Sequence, residues 1–126
     1  GGQVIHADAL SGLKQLPEMS FDAVMMRAFL EHEPQPRAVL EQTCRVLRPG
    51  GYAVIQVPNF GCINRRVRGA RWCGFRFPDH VNYFVPRSLC GMVTAAGLQI
   101  AQFRLRDHLP TSDRMWMVAQ RPARAA

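Results

Sequence analysis

The chain has 126 residues, one domain's worth, and at that size about two-thirds of the unfolded chain's surface can be buried without disulfide or metal staples. Hydrophobic residues make up 48%, but no apolar run approaches the roughly eighteen residues of a membrane helix, and the first residues show no secretory leader. Membrane-spanning, collagen-like and disordered classes are therefore excluded and a cytoplasmic globular domain is expected, with a net charge of +7 in which fifteen of the sixteen basic residues are arginine.

Such a charge suits either a polyanion binder or an arginine-biased, solvated surface. The four cysteines (Cys44, Cys62, Cys73, Cys90) form no C-x-x-C pair, and no histidine stands at zinc-ligand spacing from two of them. Free thiols and no metal site are expected.

Residues 3–7 are short, apolar and β-prone, and end at Asp8. After a turn-like stretch with Gly12 and Pro17, Phe21 to Met26 has the continuous apolar run of a strand buried on both faces of a parallel sheet. Pro34 to Arg48 has helical spacing, with Leu40, Cys44 and Leu47 on one stripe and Pro36 in the first turn. Pro49-Gly50-Gly51 is expected to stop that helix and turn the chain. Tyr52 to Val57 reads as a second strand, parallel to the first through a right-handed crossover.

From Asn59 to Pro78 periodicity is lost, and Arg65, Arg66, Arg68, Arg71 and Arg76 interleave with Trp72, Phe75 and Phe77. Pro86 to Ala96 is helical again, with Gly97 as its C-terminal cap. Leu98 to Arg106 and Met115 to Ala119 read as an antiparallel hairpin, and the tail from Arg121 as loose. No repeat and no domain boundary is visible, so residues 1–126 form a single unit.

Several segments, in order, resemble the C-terminal half of a class I S-adenosylmethionine-dependent methyltransferase of the small-molecule kind. Ala7-Asp8-Ala9 is similar to the acidic turn after that family's third strand, and Phe21-Asp22-Ala23-Val24 to the start of its fourth. Leu30-Glu31-His32 resembles the segment that follows. Arg45-Val46-Leu47-Arg48-Pro49-Gly50-Gly51, the most specific piece, resembles the approach to the fifth strand. His80-Val81-Asn82-Tyr83-Phe84, ahead of the helix ending Ala95-Ala96-Gly97, resembles a late H-x-x-x-F…G segment.

The resemblance implies an α/β fold: a truncated Rossmann-like methyltransferase sheet, mostly parallel, ending in an antiparallel β-hairpin. It implies S-adenosylmethionine as cofactor and a small-molecule acceptor. Asp8 and Ala9 would hold the adenine, Arg27 and Ala28 would flank the cofactor, and Asn59, Trp72, His80 and Tyr83 would face the substrate. The family's glycine-rich turn after the first strand and the acidic residue ending its second have no counterpart here; Gly1-Gly2 is no G-x-G motif. The expectation is a partial domain, inactive alone, with Phe21 to Met26 as an exposed edge that residues 3–7 could slide in to cover or on which two chains could pair.

Residue by residue, bland and functional readings stay open. Asp8 suits a helix cap as well as an adenine amino group. His80 is a candidate base beside Asp79, or it fixes its loop through a backbone carbonyl. Glu31 and His32, as chain neighbours, are expected not to face each other. The loop from Asn64 to Phe77 either folds its aromatics onto the core, faces an acidic substrate, or tracks a nucleic acid; no nucleic-acid-binding motif supports the last. The alternative to the enzyme is a non-catalytic methyltransferase-like module that binds a partner chain or polyanion through its open edge or this loop.

Overall fold

The computed structural model describes residues 2–123. Four α-helices and four strands follow one another along them: α1 (Ala9–Gln15), β1 (Phe21–Arg27), α2 (Pro36–Val46), β2 (Leu47–Pro58), α3 (Ile63–Arg68), α4 (Pro86–Ala95), β3 (Gln99–Gln102) and β4 (Arg114–Gln120). The sheet order is β1-β2-β4-β3. β1 and β2 are parallel, with Val24 opposite Ala53; β4 runs antiparallel to both β2 and β3. This is the expected α/β sheet with its crossover and terminal hairpin, and β1 is an edge strand.

The core lies on one side of the sheet. Ala53, Ile55 and Val57 of β2 and Met115, Met117 and Ala119 of β4 pack with Val39 and Leu40 of α2 and Leu89 and Val93 of α4. Their spacing explains the elements: alternate residues on β4 and one stripe on each helix meet in a single apolar layer. On the opposite face the sheet is open. Met25 is 68% exposed while its neighbour Met26 is 6% exposed. The two-sided burial expected for β1 is thus corrected to one-sided burial. Its apolar run supplies two faces, and the described residues cover only one.

Residues 3–7 form no strand either; they run exposed, with Val4 94% exposed. β-Branched residues need a neighbouring ladder, and none is offered to them here. The helix-to-strand junction also differs from expectation. α2 ends at Val46, and β2 starts at once because Leu47 pairs with Phe21. Pro49-Gly50-Gly51 sits inside the strand as a bulge between the Phe21–Leu47 and Ala23–Tyr52 pairings. Gly50 has φ 81°, and a Cβ on Gly51 would lie 2.9 Å from the Arg48 carbonyl and 3.0 Å from that of Asp22. Only glycine permits that approach.

Several arginines are structural rather than merely solvated. Arg45 donates to the Leu13 and Leu16 carbonyls at the end of α1. Arg121, read from sequence as part of a loose tail, donates to the carbonyls of Cys44, Arg45 and Leu47 at the end of α2. Cations there satisfy orphan carbonyls and oppose the helix dipole. The rest of the tail, residues 124–126, lies outside the described residues. α4 ends as expected, with Gly97 at φ 94°. All four cysteines are free thiols, and burial pushes those of Cys44, Cys62 and Cys90 up, away from nucleophilic reactivity. No helix among the described residues is long and apolar enough to cross a membrane.

Candidate functional site

Two cavities, each of about 310 Å³, flank the carboxyl end of β1. Parallel strands of an open α/β sheet place ligands at that end. The first cavity is apolar, walled by Ile5, Ala7, Leu13, Met25, Phe29 and Val39, with Asp8 and Ala9 at its rim. The second is polar, walled by Arg27, Ala28, Glu31, His32, Gln56, Arg76, His80 and Asp113, among others. The four residues expected to hold a cofactor therefore divide into two pairs, one per cavity. Between them the chain leaves β1 through Ala28, whose φ of 51° is a left-handed conformation unusual for a residue with a Cβ. Its N–H is held by the Gln56 carbonyl at 3.2 Å. Strain of this kind, about 1–3 kcal/mol, persists where surrounding structure enforces it and clusters at ligand sites.

Asp8 is the N-cap of α1. Its Oδ1 accepts from the Ser11 N–H at 2.9 Å and its Oδ2 from the Ser11 hydroxyl at 2.6 Å. These bonds, the hydroxyl's first, hold the carboxyl below its ordinary pKa. Each carboxylate oxygen has two lone pairs, so capping leaves acceptor capacity toward the cavity. The cavity thus combines apolar side chains with one charged acceptor.

The polar cavity owes its shape to two stapled segments. The turn at Leu30–His32 and the loop before α4 are joined by Asn82, whose side-chain amide donates to the Leu30 and Glu33 carbonyls. The Val81 and Asn82 N–H groups both donate to the Glu31 carbonyl. His80 is buried, its Nδ1 2.7 Å from the Gly74 carbonyl; His32 Nδ1 is 2.8 Å from the Asp79 carbonyl. The two imidazoles meet edge to face, with ring centroids 4.6 Å apart. Glu31 is 2% exposed, and its Oε1 lies 3.7 Å from His32 Nε2. That contact corrects the expectation that these neighbours avoid each other: a tight turn, not an α-helix, carries them.

The other residues expected to face substrate stand behind the wall. Trp72 is 2% exposed, and its indole N–H donates to Asp113 at 2.9 Å. Asn59 is buried, its carbonyl oxygen accepting from the Gly61 N–H. Tyr83 donates its hydroxyl to the His80 carbonyl at 3.0 Å and stacks on Phe75. None of these side chains borders the polar cavity; Trp72 and Tyr83 brace the loop that does, while Asn59 holds the turn after β2 to Leu109.

Sequence reasoning passed over Gln56 and Asp113. Gln56 carried a signal, a polar residue inside an apolar strand, and it is 4% exposed. Asp113 carried none. It lies on the approach to β4 and gathers Trp72, Asn64 and Cys62 onto one carboxylate oxygen. Those donors, Trp72 foremost, hold its carboxyl below the ordinary 3.8. A depressed folded-state pKa contributes stability that is complete above the unfolded value and lost as pH falls through the folded one. Wild type should therefore lose stability relative to Asp113→Asn below about pH 4, measured by urea unfolding at successive pH values. A constant difference from pH 7 down to pH 3 would contradict this.

Comparison with known proteins agrees with the fold. Residues 3–102 match a family model described as a methyltransferase domain. The ubiquinone biosynthesis O-methyltransferase of Paraburkholderia phytofirmans is 28% identical over 126 aligned residues, covering 91% of this chain and 51% of that protein. A SAM-dependent methyltransferase from Archaeoglobus fulgidus superposes with TM-score 0.72 at 18% identity, covering 94% of this chain and 67% of that one. The 1,6-didemethyltoxoflavin-N1-methyltransferase of Burkholderia thailandensis, solved with 1,6-didemethyltoxoflavin and S-adenosylhomocysteine bound, superposes with TM-score 0.60 at 17% identity, covering 87% and 48%. The chain spans about half the length of the curated relatives it matches.

Proposed function

Because this chain belongs to the methyltransferase-domain family, we propose that it forms the adenine and acceptor side of an S-adenosylmethionine-dependent methyltransferase acting on a small molecule. The observation that carries this is the pair of cavities at the carboxyl end of β1, one apolar with an acidic rim and one polar. Asp8 and Ala9 take the adenine, Arg27 and Ala28 flank the sulfonium side, and the His80 wall receives the acceptor. Trp72 and Tyr83 act on the acceptor only by holding that wall, and Asn59 acts only from the turn behind it.

The bound cofactor supplies an activated methyl group with its own leaving group. What remains for the protein is to align an acceptor atom with it and to exclude water, for which orientation alone is worth several powers of ten in rate. A His80 ring whose Nδ1–H is donated to the Gly74 carbonyl keeps a lone pair on Nε2 and can take an acceptor's proton from this wall. The 126 residues contain neither a Gly-x-Gly turn nor a counterpart of the family's ribose-binding acid, so their grip on the cofactor rests on the adenine, and we expect no turnover from them by themselves.

Titration of S-adenosylhomocysteine into the chain should give weak binding, a Kd of about 0.1–1 mM, that Asp8→Ala abolishes. A flat titration of the folded wild-type chain would contradict the assignment, as would binding that Asp8→Ala leaves unchanged.

One observation favours a second reading, a methyltransferase-like module that pairs with another chain. β1 is an edge strand, and beside it the open sheet face exposes Phe21, Met25, Tyr52 and Trp116. Unpaired strand edges with apolar flanks recruit partners. On this reading two copies pair through β1, sedimentation shows a dimer, and Met25→Lys returns a folded monomer. A wild-type monomer at all concentrations excludes it.

A further inference from the structure

One group of side chains has a composition that methyl transfer by alignment does not require. Glu31, His32 and His80 each offer a ligand atom within 4.8 Å of the others. Among the described residues Glu31 Oε2 is the one buried side-chain oxygen or nitrogen without a hydrogen-bond partner. A buried carboxylate oxygen left unpaired is destabilising, and fixed arrangements of that kind call for a counter-ion. Both imidazoles have Nδ1 at 2.7–2.8 Å from a backbone carbonyl. A carbonyl only accepts, so in the neutral rings the proton sits on Nδ1 and Nε2 carries the lone pair. Metal-binding histidines are oriented in this way: one ring N–H is donated to a carbonyl and the other nitrogen is presented to the ion.

We propose that Glu31, His32 and His80 form a binding site for a divalent transition-metal cation of the zinc class. Two imidazoles and one carboxylate suit Zn²⁺, Mn²⁺, Fe²⁺ or Co²⁺ and disfavour Ca²⁺ and Mg²⁺, which select all-oxygen sets. Metal–ligand bonds of about 2.1 Å put ligand atoms roughly 3.0–3.5 Å apart, so the set contracts by side-chain rotation when the ion enters. His32, exposed on the cavity wall, has room to move. Among the described residues three protein ligands are present, and the remaining positions open onto the cavity. Arg27 and Arg76 line that cavity too, which favours water or an anionic oxygen ligand in those positions. The ion would engage the His80 lone pair, so His80 as ligand and His80 as base exclude one another.

The test is a Zn²⁺ titration of the purified 126-residue chain in the presence of a non-chelating reductant, with no cofactor or acceptor present, so that failure of the metal site and failure of the methyl-transfer reading are told apart. One Zn²⁺ per chain is expected, with affinity at least tenfold lower in both Glu31→Gln and His32→Ala. Cys73→Ser, which removes the thiol on the same cavity wall, should leave affinity unchanged. Circular dichroism checks that each variant is folded, and His32→Ala, at an exposed position, carries the test if Glu31→Gln does not fold. No binding by the wild-type chain, binding unaffected by His32→Ala, or binding lost only in Cys73→Ser would each overturn the proposal.

Discussion

Replacing Trp72 by alanine is expected to lower the unfolding free energy by about 3–5 kcal/mol, the usual cost of truncating a fully buried aromatic. The indole fills the space between the Arg-rich loop and the body of the domain. It meets Phe60 edge to face at 6.1 Å and lies against Gly74 so closely that any Cβ there would overlap the ring. Its N–H is also the main donor to Asp113. Trp72→Phe keeps most of the packing and removes the donor, and should cost about 1.5–3 kcal/mol, in the range for a hydrogen bond to a charged group. Urea unfolding at pH 7 measures both. Had Trp72 faced the substrate, as its place among loop arginines suggested, either change would leave stability within about 0.5 kcal/mol.

Gly51→Ala should be nearly as damaging for a different reason, at about 1–3 kcal/mol. The added Cβ meets the Arg48 and Asp22 carbonyls and, at 3.2 Å, the Leu47 side chain. The two carbonyls are backbone on both sides of the β1–β2 pairing, so neither can move without opening the register there. At Gly50 an added methyl would point into open space, and the constraint is its φ of 81° instead. Gly50→Ala should therefore cost about 1–2 kcal/mol through backbone strain alone, and a Gly51→Ala variant as stable as wild type in thermal unfolding would contradict the bulge geometry.

Most of the scaffold could be read from the chain because its signals are local. The stripe of Val39, Leu40 and Val46 marks α2 whatever surrounds it, and Gly97 announces the end of α4. β4 was legible from Met115, Met117 and Ala119 alternating with less buried positions. Where reading failed, the deciding partner lay elsewhere. Residues 3–7 have strand composition but no ladder to join. α3 was passed over because it lacks an apolar stripe: Ile63 and Val67 are both exposed. β3 is shorter than the alternation from Leu98 suggested, pairing only over Gln99–Gln102 before the chain turns at Leu105.

The site was less legible than the scaffold. Motif resemblance brought Asp8, Ala28 and His80 to notice, and each borders a cavity. It could not show that Asp8 and Ala28 border different ones, since that depends on which side of Phe29 the chain passes. Nor could spacing reveal the Glu31–His32–His80 group. His80 reaches the other two only because Asn82 ties its loop to the Leu30 and Glu33 carbonyls. A carboxylate between Leu30 and a histidine was the sole local hint.

The proposed seat of the cofactor's nucleoside, at the carboxyl end of β1 and against Asp8, is tested most directly by recording amide spectra of the ¹⁵N-labelled chain during titration with S-adenosylhomocysteine. Shifts are predicted to concentrate at Asp8, Ala9, Arg27 and Ala28 and to be absent from α3 and β3. Shifts centred on the arginines of α3, or a folded spectrum that does not change at all, would contradict that placement.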